Sequence, residues 1–185
     1  KNWETIPAQN LFDSNKVAMT GGTCGEGEYA QDCVGIIFRD EDTNSARDWA
    51  WLTSSLDLAA GWKHDFNEAR ERVLGPATVM GGSVVFTSFI PADEACSTDG
   101  TSRLWALFYK TGTPYFWPTL QNPNGKIPAA IEIGQGLITN PTLYIGEKPT
   151  ATALTQSNFG VVLGTEINTP LPIKSGGLFW RKNTD

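Results

Sequence analysis

The stretch "SVVFTSFIPADEACSTDGTSRLWALFYKTG", from Ser83 to Gly112, decides the fold class of this 185-residue chain. It holds two apolar runs joined by a small polar loop, and the second run ends at a Thr-Gly turn signal. Alternate residues of a strand face opposite sides, so "RLWALFYK" is apolar on both of its faces, as expected for a strand between two layers. The two faces are Leu104, Ala106 and Phe108 on one side, and Trp105, Leu107 and Tyr109 on the other.

Strand-like runs continue on both sides of this stretch. "PATVMGG" precedes it and "PYFW" follows it, which predicts an antiparallel meander of four strands closed by "PYFW". Similar runs, including "VGIIFRD", "DWAWLT", "GWKHDF", "AAIEIG", "PTLYIG" and "NFGVVLGTEI", alternate with turn residues, among them 19 Gly and 11 Pro in the chain. Only "SSLDLAA" and "DFNEARER" favour helix, and both are short. The pattern predicts one all-β domain over residues 1–185, built from antiparallel four-stranded meanders.

The charge of the chain excludes two classes of partner. Its formal net charge is −6, and its lysines and arginines form no cluster. A protein that binds nucleic acid needs a basic face to neutralise phosphates. A protein that binds an anionic membrane surface needs one for the same reason. No apolar run approaches the roughly 20 residues that span a bilayer, so we expect no membrane insertion.

The three cysteines indicate an oxidising setting. Cys24 and Cys33 flank "GEGEYAQD", and a disulfide across so short a loop would stabilise the fold by about 2–3 kcal/mol. A metal pair is the rival interpretation, but no CxxC spacing or nearby histidine favours zinc. A disulfide is typical of exported proteins. Cys96 is then left over, which predicts either a partner cysteine in another chain or a free thiol.

The segment "GWKHDFNEARERVLGPATVMGGSVVFTSFIPADEACSTDGTSRLWALFYKTGTPY" resembles a signature blade of the PilC/PilY family of type IV pilus tip proteins. That family has a Gly-Trp strand, then "GERV", a "GG.V.FT.FIP" strand and a "C..GGTS.LYALD..TG" strand. Weaker matches follow in "IEIGQGLITNPTLYI" and "GGLFWRKN". The matching residues are Gly61-Trp62, Glu71-Arg72-Val73, Phe86-Thr87, Ile90-Pro91, Cys96, Gly100-Thr101-Ser102, Leu104, Ala106-Leu107 and Thr111-Gly112.

This resemblance implies a non-enzymatic, extracellular, pilus-associated protein that supports pilus biogenesis and surface adhesion. It also implies a β-propeller at the C-terminal end of a larger protein. A propeller needs about four strands per blade, more than 185 residues supply for a full set, so the chain would form a partial or compact propeller. The expected partners are pilins, the rest of the propeller or a second chain, and a host or surface receptor.

The segment "DEDTNSARD" has the spacing of a calcium loop. Alternate positions supply oxygen atoms, which Ca²⁺ binds in sets of six to eight. The resembled family carries a nine-residue calcium loop of the same spacing, although Ser45 stands here where glycine usually makes the turn. The alternative is a solvated acidic turn between strands. The candidate ligands are Asp40, Asp42, Asn44, the carbonyl of Ala46, and Asp48.

No set of residues predicts a catalytic site. His64 is the single histidine, and no nucleophile signature accompanies it, so a structural role is expected. Trp49 and Trp51 share one face of a predicted strand, where packing is favoured over stacking on sugars. Two other functions stay open: a carbohydrate- or calcium-binding surface module unrelated to pili, and a quinoprotein-type dehydrogenase, for which we find no Asp, Arg and cofactor set.

Overall fold

The structure is a computed structural model that describes residues 5–21, 34–38, 46–47, 49–93, 99–115, 120, 127–145, 150–156 and 162–168. Strands predominate in this part of the chain, which confirms the all-β class. In chain order the elements are β1 (Phe12–Asp13), β2 (Val17–Gly21), β3 (Val34–Phe38), β4 (Ala46–Arg47), α1 (Trp49–Asp57), β5 (Trp62–Lys63), β6 (Arg72–Val73), β7 (Thr78–Met80), β8 (Ser83–Pro91), β9 (Gly100–Phe108), β10 (Ala130–Gln135), β11 (Thr142–Ile145), β12 (Thr150–Gln156) and β13 (Val162–Asn168).

The central sheet is antiparallel and runs in the order β10-β9-β8-β6, with β7 also paired to β8. A two-residue turn at Gly81 and Gly82 joins β7 to β8, with φ of 54° and 83° at these two glycines. Positive φ at both positions matches the twist of the flanking strands in a type I′ hairpin. The first three strands of the predicted meander are therefore confirmed.

The predicted fourth strand of the meander is wrong over the part of it that the structure describes. The chain leaves the sheet after Phe108, and Pro114 and Tyr115 lie in no strand. The place beside β9 is taken by β10, with Ile131 opposite Leu104. Phe116 and Trp117, the other half of "PYFW", lie outside the described residues.

Both faces of β9 are buried, as its sequence predicted, but Tyr109, which was expected on one of these faces, lies beyond the strand and is 42% exposed. Leu104 and Ala106 face the sheet β11-β12-β13, and their core includes Val85 and Ala153. Trp105, 6% exposed, is buried on the opposite face. The central sheet therefore has a second sheet on one face and other parts of the chain on the other.

The predicted strand "DWAWLT" is wrong, because Trp49–Asp57 forms helix α1. Helical spacing places Trp49, Leu52 and Leu56 on one side, and all three pack in a core with Val17 and Met19 of β2. Leu52 is fully buried there. This core supports the helix despite the strand preference of tryptophan, since packing overrides intrinsic propensity.

The helix predicted at "DFNEARER" is absent: residues 67–70 form bends and a turn, and Arg72 begins β6. The predicted strand "GWKHDF" shortens to β5, which pairs in parallel with β1 through Phe12 opposite Trp62. Strands β2, β3 and β4 form a separate antiparallel sheet. Among the helices of the described ranges, none has the length and apolar character needed to cross a membrane.

Candidate functional site

Most of the predicted site residues lie outside the described residues. This holds for the three cysteines, Cys24, Cys33 and Cys96, and for Asp40, Asp42, Asn44 and Asp48 of the calcium loop. Ala46, the fifth calcium candidate, lies in β4 opposite Ile37 of β3. Within the described part of the chain, no group of three or more His, Cys, Asp or Glu is arranged to hold a metal ion.

The strongest polar feature of the described chain is a cluster on the central sheet, formed by Glu71, Ser88, Arg103 and Trp105 and called here the Glu71 cluster. Ser88 lies on β8 opposite Arg103 on β9, and Trp105 is two residues further along β9 on the same face. Glu71 directly precedes β6, whose Arg72 pairs with β8. Strand pairing thus carries the Glu71 carboxylate over this face.

Both oxygens of the Glu71 carboxylate are bonded. Ser88 Oγ donates to Glu71 Oε1 at 2.5 Å, and Trp105 Nε1 donates to the same oxygen at 3.2 Å and to Ser88 Oγ at 2.7 Å. Arg103 Nη1 lies 3.2 Å from Glu71 Oε2. The Glu71 side chain is 0% exposed, whereas that of Arg103 is 27% exposed.

This arrangement favours a structural role for Glu71 over a catalytic one. A buried carboxylate is tolerated only when its partners replace water, and here two neutral donors and one guanidinium do so. Because solvent does not reach the Glu71 oxygens, they are not placed to exchange protons with a substrate. The cluster instead ties the segment that ends in Glu71 to the middle of the central sheet.

Two further ion pairs lie next to the Glu71 cluster. Arg103 also contacts Glu68 at 3.3 Å, and Arg70 pairs with Asp93. Arg70 has a φ of 67°, the one left-handed non-glycine conformation in the described chain. Its carbonyl accepts a bond from Arg72 Nε at 3.2 Å. Exposed pairs of this kind contribute little to stability.

Aromatic rings cover the rest of this face around Trp105. Phe86 lies parallel to the indole at a centroid distance of 5.9 Å, and Phe66 approaches it at 5.1 Å. His64 meets Trp105 edge-on at 5.0 Å. His64 therefore packs against Trp105 and helps to bury it, in keeping with the structural role expected for this histidine.

His64 also contacts Ser14, a residue that the sequence did not single out. Ser14 Oγ donates to the Lys63 carbonyl at 2.9 Å and lies 2.8 Å from His64 Nδ1. A hydroxyl has one proton, so with that proton on the carbonyl, His64 Nδ1 donates to Ser14 Oγ. A nucleophile would need the opposite direction, and Ser14 is only 2% exposed.

The next residues of both segments continue this connection. Asn15 Nδ2 donates to the Asp65 carbonyl at 2.5 Å, and the Asp65 amide donates to Asn15 Oδ1 at 2.7 Å. Lys63 pairs with Asp65 and lies 3.7 Å from Asp13. The hydrogen bond that Lys63 Nζ donates to the Asp65 carboxylate is the largest influence that raises the pKa of Lys63 above its ordinary value. These contacts hold residues 13–15 against residues 63–65.

Trp62 closes the turn that follows β9. Its indole Nε1 donates to the Tyr109 carbonyl at 2.8 Å. Its ring lies where a side chain at Gly112 would point, since a Cβ there would come within 2.2 Å of the indole. Gly112 also has a φ of 65°. Both the conformation and the space at this turn require glycine.

The two tryptophans of α1 are used for packing. Trp49 and Trp51 are half-buried against the core of α1 and β2. Trp49 also meets Phe108 at 5.7 Å and Tyr115 at 5.5 Å, both tilted or edge-on. Burial in this group raises the pKa of Tyr115. Rings packed at such angles favour a structural role over a flat platform for sugars.

A pocket of 390 Å³ lies between the N-terminal segment and the end of α1. Asn10 and Leu11 line one side of it, and Leu58 and Ala60 line the other. Its lining, drawn entirely from described residues, includes no acid, base or thiol. Ser55 supplies the one hydroxyl of this lining, and its Oγ donates to the Trp51 carbonyl at 2.9 Å, so no lining residue acts as the base that a serine nucleophile needs.

Comparison with known proteins gives no relative of this chain: no family model, no curated protein and no solved structure matches it. The resemblance of residues 61–115 to the PilC/PilY blade thus stays a prediction from its motif residues.

Proposed function

We propose that the chain is a non-enzymatic, extracellular module of a type IV pilus tip or assembly protein of the PilC/PilY type. It belongs to a larger β-propeller that supports pilus biogenesis and surface adhesion. Its partners are pilins, the rest of the propeller or a second chain, and a receptor on a host or surface.

The observation that carries this proposal is that the described motif residues make structural contacts. Three of the motif residues are Trp62, Glu71 and Gly112. Their contacts hold residues 62–71 against the central sheet and against the turn that follows β9. Gly100, another of them, leaves room for Phe89, whose ring a Cβ would approach to 2.5 Å. Motif residues with such roles support a scaffold, because a catalytic motif would leave reactive groups accessible.

The cysteines and the acidic loop complete the proposal. A disulfide between Cys24 and Cys33 accords with export, and Cys96 is then available for a second chain or remains a free thiol. The loop from Asp40 to Asp48 binds calcium through alternate oxygens, as its spacing predicts.

Piliation in the source organism tests the proposed function. An in-frame deletion of the codons for residues 61–115 should lower the number of surface pili and the adhesion of cells, and the wild-type gene should restore both. A Glu71→Ala gene should restore them only in part, since it weakens the fold. A Glu68→Gln gene is the matched control, because it removes a neighbouring carboxylate that is 52% exposed.

Electron microscopy of the cells and binding of the purified chain to isolated pili supply the two readouts. Normal piliation and adhesion in the deletion strain, with no binding to pili, would overturn the proposal.

A further inference from the structure

We draw no further inference here: the strongest candidate, the exposed apolar edge of the central sheet formed by Val73, Leu74 and Val79, carries nothing, because nothing in the described part of the chain shows what covers it.

Discussion

The buried carboxylate of Glu71 contributes to the stability of the protein through its bonds on the Trp105 face of the central sheet. Glu71→Ala removes the acceptor of the Ser88 hydroxyl and of Arg103 Nη1, and leaves Trp105 Nε1 with Ser88 Oγ alone. We expect a loss of about 3 kcal/mol in the free energy of unfolding, at the low end for breaking a buried pair, because Arg103 is 27% exposed. Glu71→Gln keeps an acceptor oxygen and should cost about 1 kcal/mol. Urea unfolding measures both.

The matched control for Glu71 is Glu68→Gln, which removes the other carboxylate that Arg103 contacts. Glu68 is 52% exposed, so its pair should contribute less than about 1 kcal/mol. Equal losses in the free energy of unfolding for Glu71→Ala and Glu68→Gln would show that the burial of Glu71 adds nothing to stability.

Gly112 is expected to tolerate no side chain. Gly112→Ala adds a Cβ that meets the Trp62 ring, and it places alanine at a positive φ. Strain of about 1–2 kcal/mol from the backbone and about 1–3 kcal/mol from overpacking should lower the free energy of unfolding by about 3 kcal/mol. Thermal unfolding should show a fall in Tm of about 6–12 °C for a chain of this length.

A double-mutant cycle separates the two causes at Gly112. In a Trp62→Ala background the clash is gone, so Gly112→Ala should cost only the backbone part, about 1–2 kcal/mol. The same cost in both backgrounds would mean that the Trp62 ring does not rest on Gly112.

The hairpin between β7 and β8 is defined by its turn. Gly81→Asn keeps a residue that adopts positive φ readily, and we expect stability equal to the wild type or up to about 0.5 kcal/mol higher. Gly81→Val forces a β-branched residue into the same conformation and should cost about 1–2 kcal/mol. Urea unfolding of the two variants side by side tests the turn type, and equal losses would contradict it.

The strands that the sequence predicted are those whose apolar pattern is strong. β8 and β9 have long apolar runs bounded by turn residues, so local sequence suffices for them. β12, "TATALTQ", was missed because threonine and alanine give little apolar contrast, although Ala153 is fully buried against the central sheet. Ala153 is buried because it packs against the central sheet, which is distant in sequence, so no local pattern predicts its burial.

The first half of α1 was mistaken for a strand because its two tryptophans suggested alternation, whereas its second half lies in "SSLDLAA", which favoured helix. The spacing of Trp49, Leu52 and Leu56 also fits a helix, and Asp48 directly precedes it in the sequence. For nine residues both periods can be matched, and the core with β2 decides between them. Short amphipathic segments are therefore the least predictable elements of this chain.

The candidate site was the hardest part of the molecule to predict. Glu71 was singled out only as a motif residue, and its contacts with Ser88 and Arg103 span 17 and 32 residues. Ser14 and His64 are 50 residues apart. Such pairs depend on the strand register and on the path of the N-terminal segment, so no spacing rule in one sequence reveals them.

The proposed calcium loop should make the stability of the whole chain depend on the ion. If its Kd is about 0.1 mM, as in extracellular calcium modules, then 10 mM calcium is a hundredfold excess and stabilises the folded chain by about 2.7 kcal/mol. For a chain of this length that corresponds to a rise in Tm of about 5–10 °C relative to a sample in chelator. Differential scanning calorimetry measures the shift.

The variant Asp42→Asn removes one proposed ligand charge and should abolish most of that rise. Asp57→Asn is the matched control, because Asp57 is an exposed carboxylate at the end of α1, outside the loop, and its variant should respond to calcium as the wild type does. The same Tm in calcium and in chelator would refute the site. An Asp42→Asn protein that still gains the full shift would place the ion elsewhere.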